Sequence, residues 1–208
     1  MGTTHSASHV DEKRRRTDLI RRLPSRNFHL GIRLAKMLGL DLNLFVTFNF
    51  SLTACNPERA DLAFAKLRAT FGKWATRLNK AHFPPTFVWV IENPNDCLNV
   101  HWMVHVPREH HADFKANLQK WLEDAVGDVY SEKAIKVKRV TNAEGLKAYL
   151  LKGLHPSLAK LFGIRYENQG WVYGRRIGHS KNIGPVQVKK WRDLRMFPPA
   201  KRWITYGA

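Results

Sequence analysis

The chain has 208 residues, 44% of them hydrophobic, enough for one domain with extensions or two small ones. Its 35 Lys+Arg against 17 Asp+Glu give a formal net charge of +18, which points to a polyanionic partner, nucleic acid before membrane. No apolar run approaches the roughly 18–20 residues of a membrane span, and no apolar signal core follows the basic run Lys13–Arg16. With two cysteines, Cys55 and Cys97, that lack metal-type spacing, the expected home is a reducing cytoplasm, with no membrane partner.

Residues 1–26 are dense in arginine (Arg14, Arg15, Arg16, Arg21, Arg22, Arg26). They read as a basic flexible arm suited to phosphate contact, with a short helix around Asp18–Leu23. Leu30, Leu34, Met37 and Leu38 put helical spacing on Phe28–Leu40. Leu44–Leu52 alternates as a strand: Leu44, Val46, Phe48, Phe50 and Leu52 form an apolar face, and Phe45, Thr47, Asn49 and Ser51 a mostly polar one. Asn56-Pro57-Glu58 then supplies an N-cap, a first-turn proline and a first-turn carboxylate. The helix it opens buries Phe64, Leu67, Phe71, Trp74 and Leu78, and Pro84-Pro85 bars its continuation.

Thr86–Glu92 is the next strand, and Asn93–Asp96 is turn chemistry joining it to Leu98–Pro107 as an antiparallel hairpin. In that second arm Leu98, Val100, Trp102, Val104 and Val106 alternate with Asn99, His101, Met103 and His105. Residues two apart on a strand lie about 6.5–7 Å apart. Asn99 and His101 can therefore address one ion or phosphate, whereas His101 and His105 are too far apart to be adjacent ligands. Pro107–Val126 reads as a helix with Phe114, Leu118, Trp121 and Ala125 inside and Gly127 as its C-cap.

Ala134–Val140 is a basic strand in which Ile135 and Val137 alternate with Lys136 and Lys138. Thr141 or Asn142 caps a helix over Ala143–Lys152, which Gly153 and Pro156 end. Tyr149 and Lys152, three apart, share one of its faces. The remainder is rich in glycine and bases, with a short helix near Val186–Leu194. The expected division is an arm (1–26), a main domain (27–165) and a basic extension that contacts DNA (166–208). The expected fold class is α+β: an antiparallel sheet with helices packed on one face. The open face would gather Thr47, Asn49, Glu92, Asn99, His101 and His105. A general RNA-binding module fits less well, because the sheet offers no obvious exposed aromatic pair of the RNA-recognition type.

The FVTFNFS strand, the carboxylate Glu92 shortly before NVHWMVHVP, and Tyr149-x-x-Lys152-Gly153 on a later helix resemble the HUH single-strand endonucleases. The likeness is greatest to the rolling-circle replication initiators of small phages and plasmids. It covers roughly Leu44–Gly153. GRRIGHSKNIGP (174–185) also looks like a C-terminal piece of inovirus-type and rhizobial plasmid replication proteins. The resemblance implies the HUH endonuclease fold, a ferredoxin/RRM-like sheet, over 27–165. It implies a divalent cation, Mg²⁺ or Mn²⁺, held by two histidines of the strand and a third polar ligand. It implies a tyrosine that attacks a DNA phosphodiester, keeps the 5′-phosphate and frees a 3′-OH for priming.

Carried onto this chain, the resemblance makes Tyr149 the nucleophile and Lys152 its companion lysine. His101 becomes the second motif histidine and Glu92 the third ligand. Asn99 stands where the family has its first histidine. An amide oxygen suits Mg²⁺ or Mn²⁺ but is a poorer ligand than imidazole for later transition metals. The implied DNA contacts are Thr47, Asn49, Lys136, Lys138, Arg175, Arg176 and Lys181. The implied partner is single-stranded DNA at a replication origin in a bacterial host. With no G-x-x-x-x-G-K-[ST] loop in the chain, unwinding falls to a host helicase. Two alternatives share the resemblance: a catalytically weakened DNA-binding regulator of replication, and a single-strand transposase or mobilisation relaxase.

Overall fold

The computed structural model describes residues 15–78 and 83–197. The strands are β1 (Arg16–Thr17), β2 (Leu44–Asn49), β3 (Phe87–Glu92), β4 (Asn99–Val104), β5 (Ile135–Arg139), β6 (Val172–Tyr173) and β7 (Ile177–His179). The α-helices are α1 (Arg22–Met37), α2 (Ala60–Leu78), α3 (His111–Val126), α4 (Ala143–Leu150), α5 (Pro156–Leu161) and α6 (Pro185–Asp193). Five strands form one antiparallel sheet in the order β5-β2-β4-β3-β7, and β1 pairs with β6 in a separate two-stranded ribbon. The chain is thus an α+β protein.

Alternation in β2, β3 and β4 sends Val46, Phe48, Trp89, Ile91, Val100 and Trp102 to one face. There they meet Phe64, Phe71 and Trp74 of α2 and Phe114, Leu118 and Trp121 of α3. Trp102 is fully buried at the centre, with Phe71 edge-on at 5.1 Å and Phe64 and Phe87 each at 5.8 Å between ring centroids. Edge-on packing places the positive rim of one ring on the negative face of another. The helix caps follow their local chemistry. Asn56 accepts the Glu58 N–H at 2.9 Å and Asn142 accepts the Gly145 N–H at 2.9 Å. Gly127 takes φ 85° after α3, a conformation that costs glycine little.

The opposite face differs from the expectation of helices on one side only. Val88, Val90, Met103 and Ile177 are buried under Phe28, Ile32 and Leu34 of α1 and Leu150, Leu151 and Leu154 at and after the end of α4. Every residue of β3 is buried, so this strand is covered from both sides. Val88 and Val90 sit at positions where a half-open sheet carries polar groups, and their burial calls for a second layer. The cover stops short of the β2/β5 side, where the polar residues lie.

The described parts of the expected arm and extension, residues 15–26 and 166–197, are built into the fold, while residues 198–208 lie outside the described residues. Residues 1–14 lie outside the described residues, but Arg16–Thr17 pairs with Val172–Tyr173, Ile20 is buried, and α1 starts at Arg22. Pro24 is tolerated because it falls in the first turn, where a missing N–H breaks no helical bond. The expected helix over Asp18–Leu23 is replaced by this pairing and by a bridge from Ile20 to Leu154. From the expected extension, Ile177–His179 enters the central sheet as an edge strand against β3. Gly178 makes this possible: a Cβ there would lie 2.7 Å from the Trp89 ring.

Candidate active site

Register builds the site. Asn99 of β4 pairs with Asn49 of β2 and with Glu92 of β3, and His101 pairs with Thr47 and Val90. Directly paired residues point to the same face, so Thr47, Asn49, Glu92, Asn99 and His101 share one face. Lys136 and Lys138 of β5 pair with Thr47 and Phe45 and join that face from the sheet edge. A cleft of about 750 Å³ opens over this patch, lined among others by Phe45, Glu92, His101, Lys136, Tyr149 and Lys152.

Glu92 is 2% exposed and His101 6%. His101 Nε2 lies 3.2 Å from Glu92 Oε2, and His101 Nδ1 lies 3.0 Å from the Thr47 hydroxyl. One neutral tautomer satisfies both contacts: Nε2–H donates to the carboxylate and Nδ1 accepts from Thr47. The Phe45 ring stacks on the imidazole at 5.4 Å and 19°, which completes its orientation. Glu92 Oε2 also meets Lys152 Nζ at 3.3 Å, while Glu92 Oε1 is buried without a hydrogen-bond partner.

Tyr149 comes from the last turn of α4 and is 47% exposed. Its ring stands edge-on to His101, 5.8 Å between centroids, and Lys152 Nζ sits 4.4 Å from the centre of the phenol ring. The helix ends at Leu150, two residues earlier than expected. Lys152 therefore reaches the site from the following turn, where its carbonyl accepts the Glu167 N–H at 2.9 Å. Glu167 Oε2 lies 3.7 Å from Lys152 Nζ. Burial lowers the Lys152 pKa, but Glu92, Tyr149 and Glu167 outweigh it and hold the value above that of an ordinary lysine. Lys152 is thus a fixed positive charge at the phenol, not a base.

The donors present are a carboxylate, an imidazole and an amide, with one carboxylate oxygen buried and unpartnered. That orphaned oxygen and a donor set containing oxygen fit a hard divalent cation such as Mg²⁺ or Mn²⁺. Glu92, the amide oxygen of Asn99 and His101 would hold it, His101 through Nε2 once the proton it donates to Glu92 is displaced. Among the described residues no group of three or more His, Cys, Asp or Glu is arranged for a metal, because the third donor here is an amide. Asn99 commits its amide nitrogen to the Cys97 carbonyl at 3.0 Å, which leaves the oxygen as the ligating atom.

Other expected site residues do not line the cleft. Asn49 spends its side-chain oxygen on the Ser51 N–H. Arg176 is 2% exposed and donates to the carbonyls of Thr17, Gln169 and Gly170. Burial pushes its guanidinium down to about 10 against the pull of Glu92 and Asp18. It ties the β1/β6 ribbon to the sheet and is not placed to meet a surface phosphate. Arg175 and Lys181 are exposed and flank β7, the edge strand beside β3, and neither lines the cleft. His105 holds the Asp41 carbonyl at 2.8 Å. Sequence reasoning missed Phe45 and Glu167 as site residues. Phe45 carried a signal, an aromatic on an otherwise polar strand face; Glu167 carried none, because its loop reaches Lys152 only through the tertiary fold.

No family model, no curated protein and no solved structure matches the chain.

Proposed function

We propose that this protein nicks and rejoins single-stranded DNA through a 5′-phosphotyrosine at Tyr149, the step that initiates rolling-circle replication of a phage or plasmid. The observation that carries the reading is the exposed phenol set against His101 and Lys152 at the mouth of a cleft rimmed by Lys136 and Lys138. The Tyr149 oxygen forms a bond to phosphorus, the bond to the 3′-oxygen breaks, and the phenolic proton ends on the released 3′-OH. The reverse reaction rejoins the strand, because a phenol is a competent leaving group. Lys152 stabilises negative charge on the phenolate and the phosphate. Thr47 and Phe45 hold the imidazole in place. A divalent cation, when bound, supplies Lewis-acid stabilisation of the phosphate oxygens.

Incubation with single-stranded DNA of the replicon that encodes the protein, with Mg²⁺ or Mn²⁺, followed by a denaturing gel, tests the reading. A covalent adduct is expected that Tyr149→Phe abolishes; absence of an adduct with either metal sinks it. A second reading, a DNA-binding regulator on the same scaffold, is favoured by two observations. Asn99 is a weaker ligand than imidazole, and Lys152 already occupies Glu92 Oε2. It predicts strand binding with no adduct.

A further inference from the structure

The cleft has two ends of different character. Glu92, His101 and Lys152 make the charged end. Phe45, Val140 and Leu146 make the other, half-buried and packed against the core beneath α1. Phe45 lies beside Lys138 in register, and Thr47 beside Lys136; both lysines are exposed. Phe45 and Tyr149 contact the same imidazole, one stacked at 5.4 Å and the other edge-on at 5.8 Å. The apolar end and the phenol are therefore one imidazole apart. At about 750 Å³ the cleft is in the size range of sites that enclose whole small molecules, larger than a phosphate alone requires.

We propose that the apolar end receives one base of the bound strand. The base leaves its stack and lies against Phe45 and Leu146, next to the phosphate that Tyr149 faces, while Lys136 and Lys138 hold flanking phosphates. An apolar recess beside cations matches a nucleotide, whose base is flat and apolar on its faces and whose phosphate is anionic. Duplex DNA keeps its bases stacked inside and cannot fill the recess without unpairing, so the recess selects single strands. The proposal rests on the phosphate reading of the charged end.

The test compares a fluorescein-labelled octathymidylate with an eight-unit abasic tetrahydrofuran phosphate strand of equal charge, by fluorescence anisotropy without divalent metal. The wild-type protein is expected to prefer the thymidylate by about tenfold, the scale of one stacked base. Phe45→Leu should shrink that preference to under about threefold, and Phe45→Trp should restore it. Thermal melts confirm folding; if Phe45→Leu does not fold, Leu146→Asn reads the same preference. A preference that survives in these variants, or is absent from the wild type, overturns the recess. Base preference together with no adduct on the denaturing gel with Mg²⁺ or Mn²⁺ supports the recess while sinking the nickase. Failure to bind either strand overturns the recess, and the gel decides the nickase separately.

Discussion

The two faces of the sheet obey the same alternation and end in opposite states. On the α2/α3 face every inward residue of β2, β3 and β4 is apolar, and the result is a closed cluster centred on Trp102. On the other face Val88, Val90, Met103 and Ile177 are buried under α1, and the remainder, which includes Phe45, Thr47, Glu92, His101, Lys136 and Lys138, lines an open cleft. The lesson is that the site is where the second layer stops. A full helical cover would bury cations with no partner, at a cost several kcal/mol beyond what packing returns.

Substitutions separate the two faces. Trp102→Ala should cost about 3–5 kcal/mol, read as a lowered denaturant midpoint; a near-neutral result would break the picture of Trp102 as the centre of the closed face. Arg176→Met comes next. It strips donors from the buried Gln169 carbonyl, worth about 1–3 kcal/mol when left unpaired, and from the part-buried carbonyls of Thr17 and Gly170, and should lower Tm while strand affinity of the folded fraction holds. A loss of DNA affinity without loss of stability would return Arg176 to the DNA interface.

Lys152→Gln should act on the open face in two ways. It removes a positive charge from Glu92, so Mn²⁺ binding by calorimetry should tighten roughly tenfold, since like charges a few ångströms apart cost about 1 kcal/mol or more even when well screened; unchanged or weaker binding would show that lysine and metal do not share the carboxylate. The pair also carries a pH signature. The Lys152 pKa is raised in the folded protein by Glu92, Tyr149 and Glu167 against the opposing effect of burial. Its contribution to stability is therefore complete below the ordinary lysine range and is lost as pH rises through the raised value. An alkaline Tm series should fall more steeply for wild type than for Lys152→Gln. Smallest in stability is Tyr149→Phe: with the ring 47% exposed, Tm should shift by less than about 0.5 kcal/mol equivalent, although the adduct disappears.

Much of the fold was legible in the chain. The two central strands, their turn, the caps at Asn56 and Asn142 and the stripes of α2 and α3 follow from alternation, helical spacing and capping chemistry, all of which act within a few residues. The faces of β2, β3 and β4 were legible too, and register brings Thr47, Glu92, Asn99 and His101 together. The second layer was not. Val88 and Val90 hinted at it, but α1 covers them only because Ile177–His179 returns to pair with β3, a contact between residues some ninety positions apart.

The sequence by itself determined which residues face which way, because the side-chain period of a strand and the spacing of a helix are local properties. It also determined that the chain is cationic and carries a phenol three residues before a lysine. Only the tertiary structure decided which arginine is buried, which glutamate holds Lys152 and where the cleft lies open. Those outcomes depend on which distant surfaces exclude water from one another, and no short window of sequence records that competition.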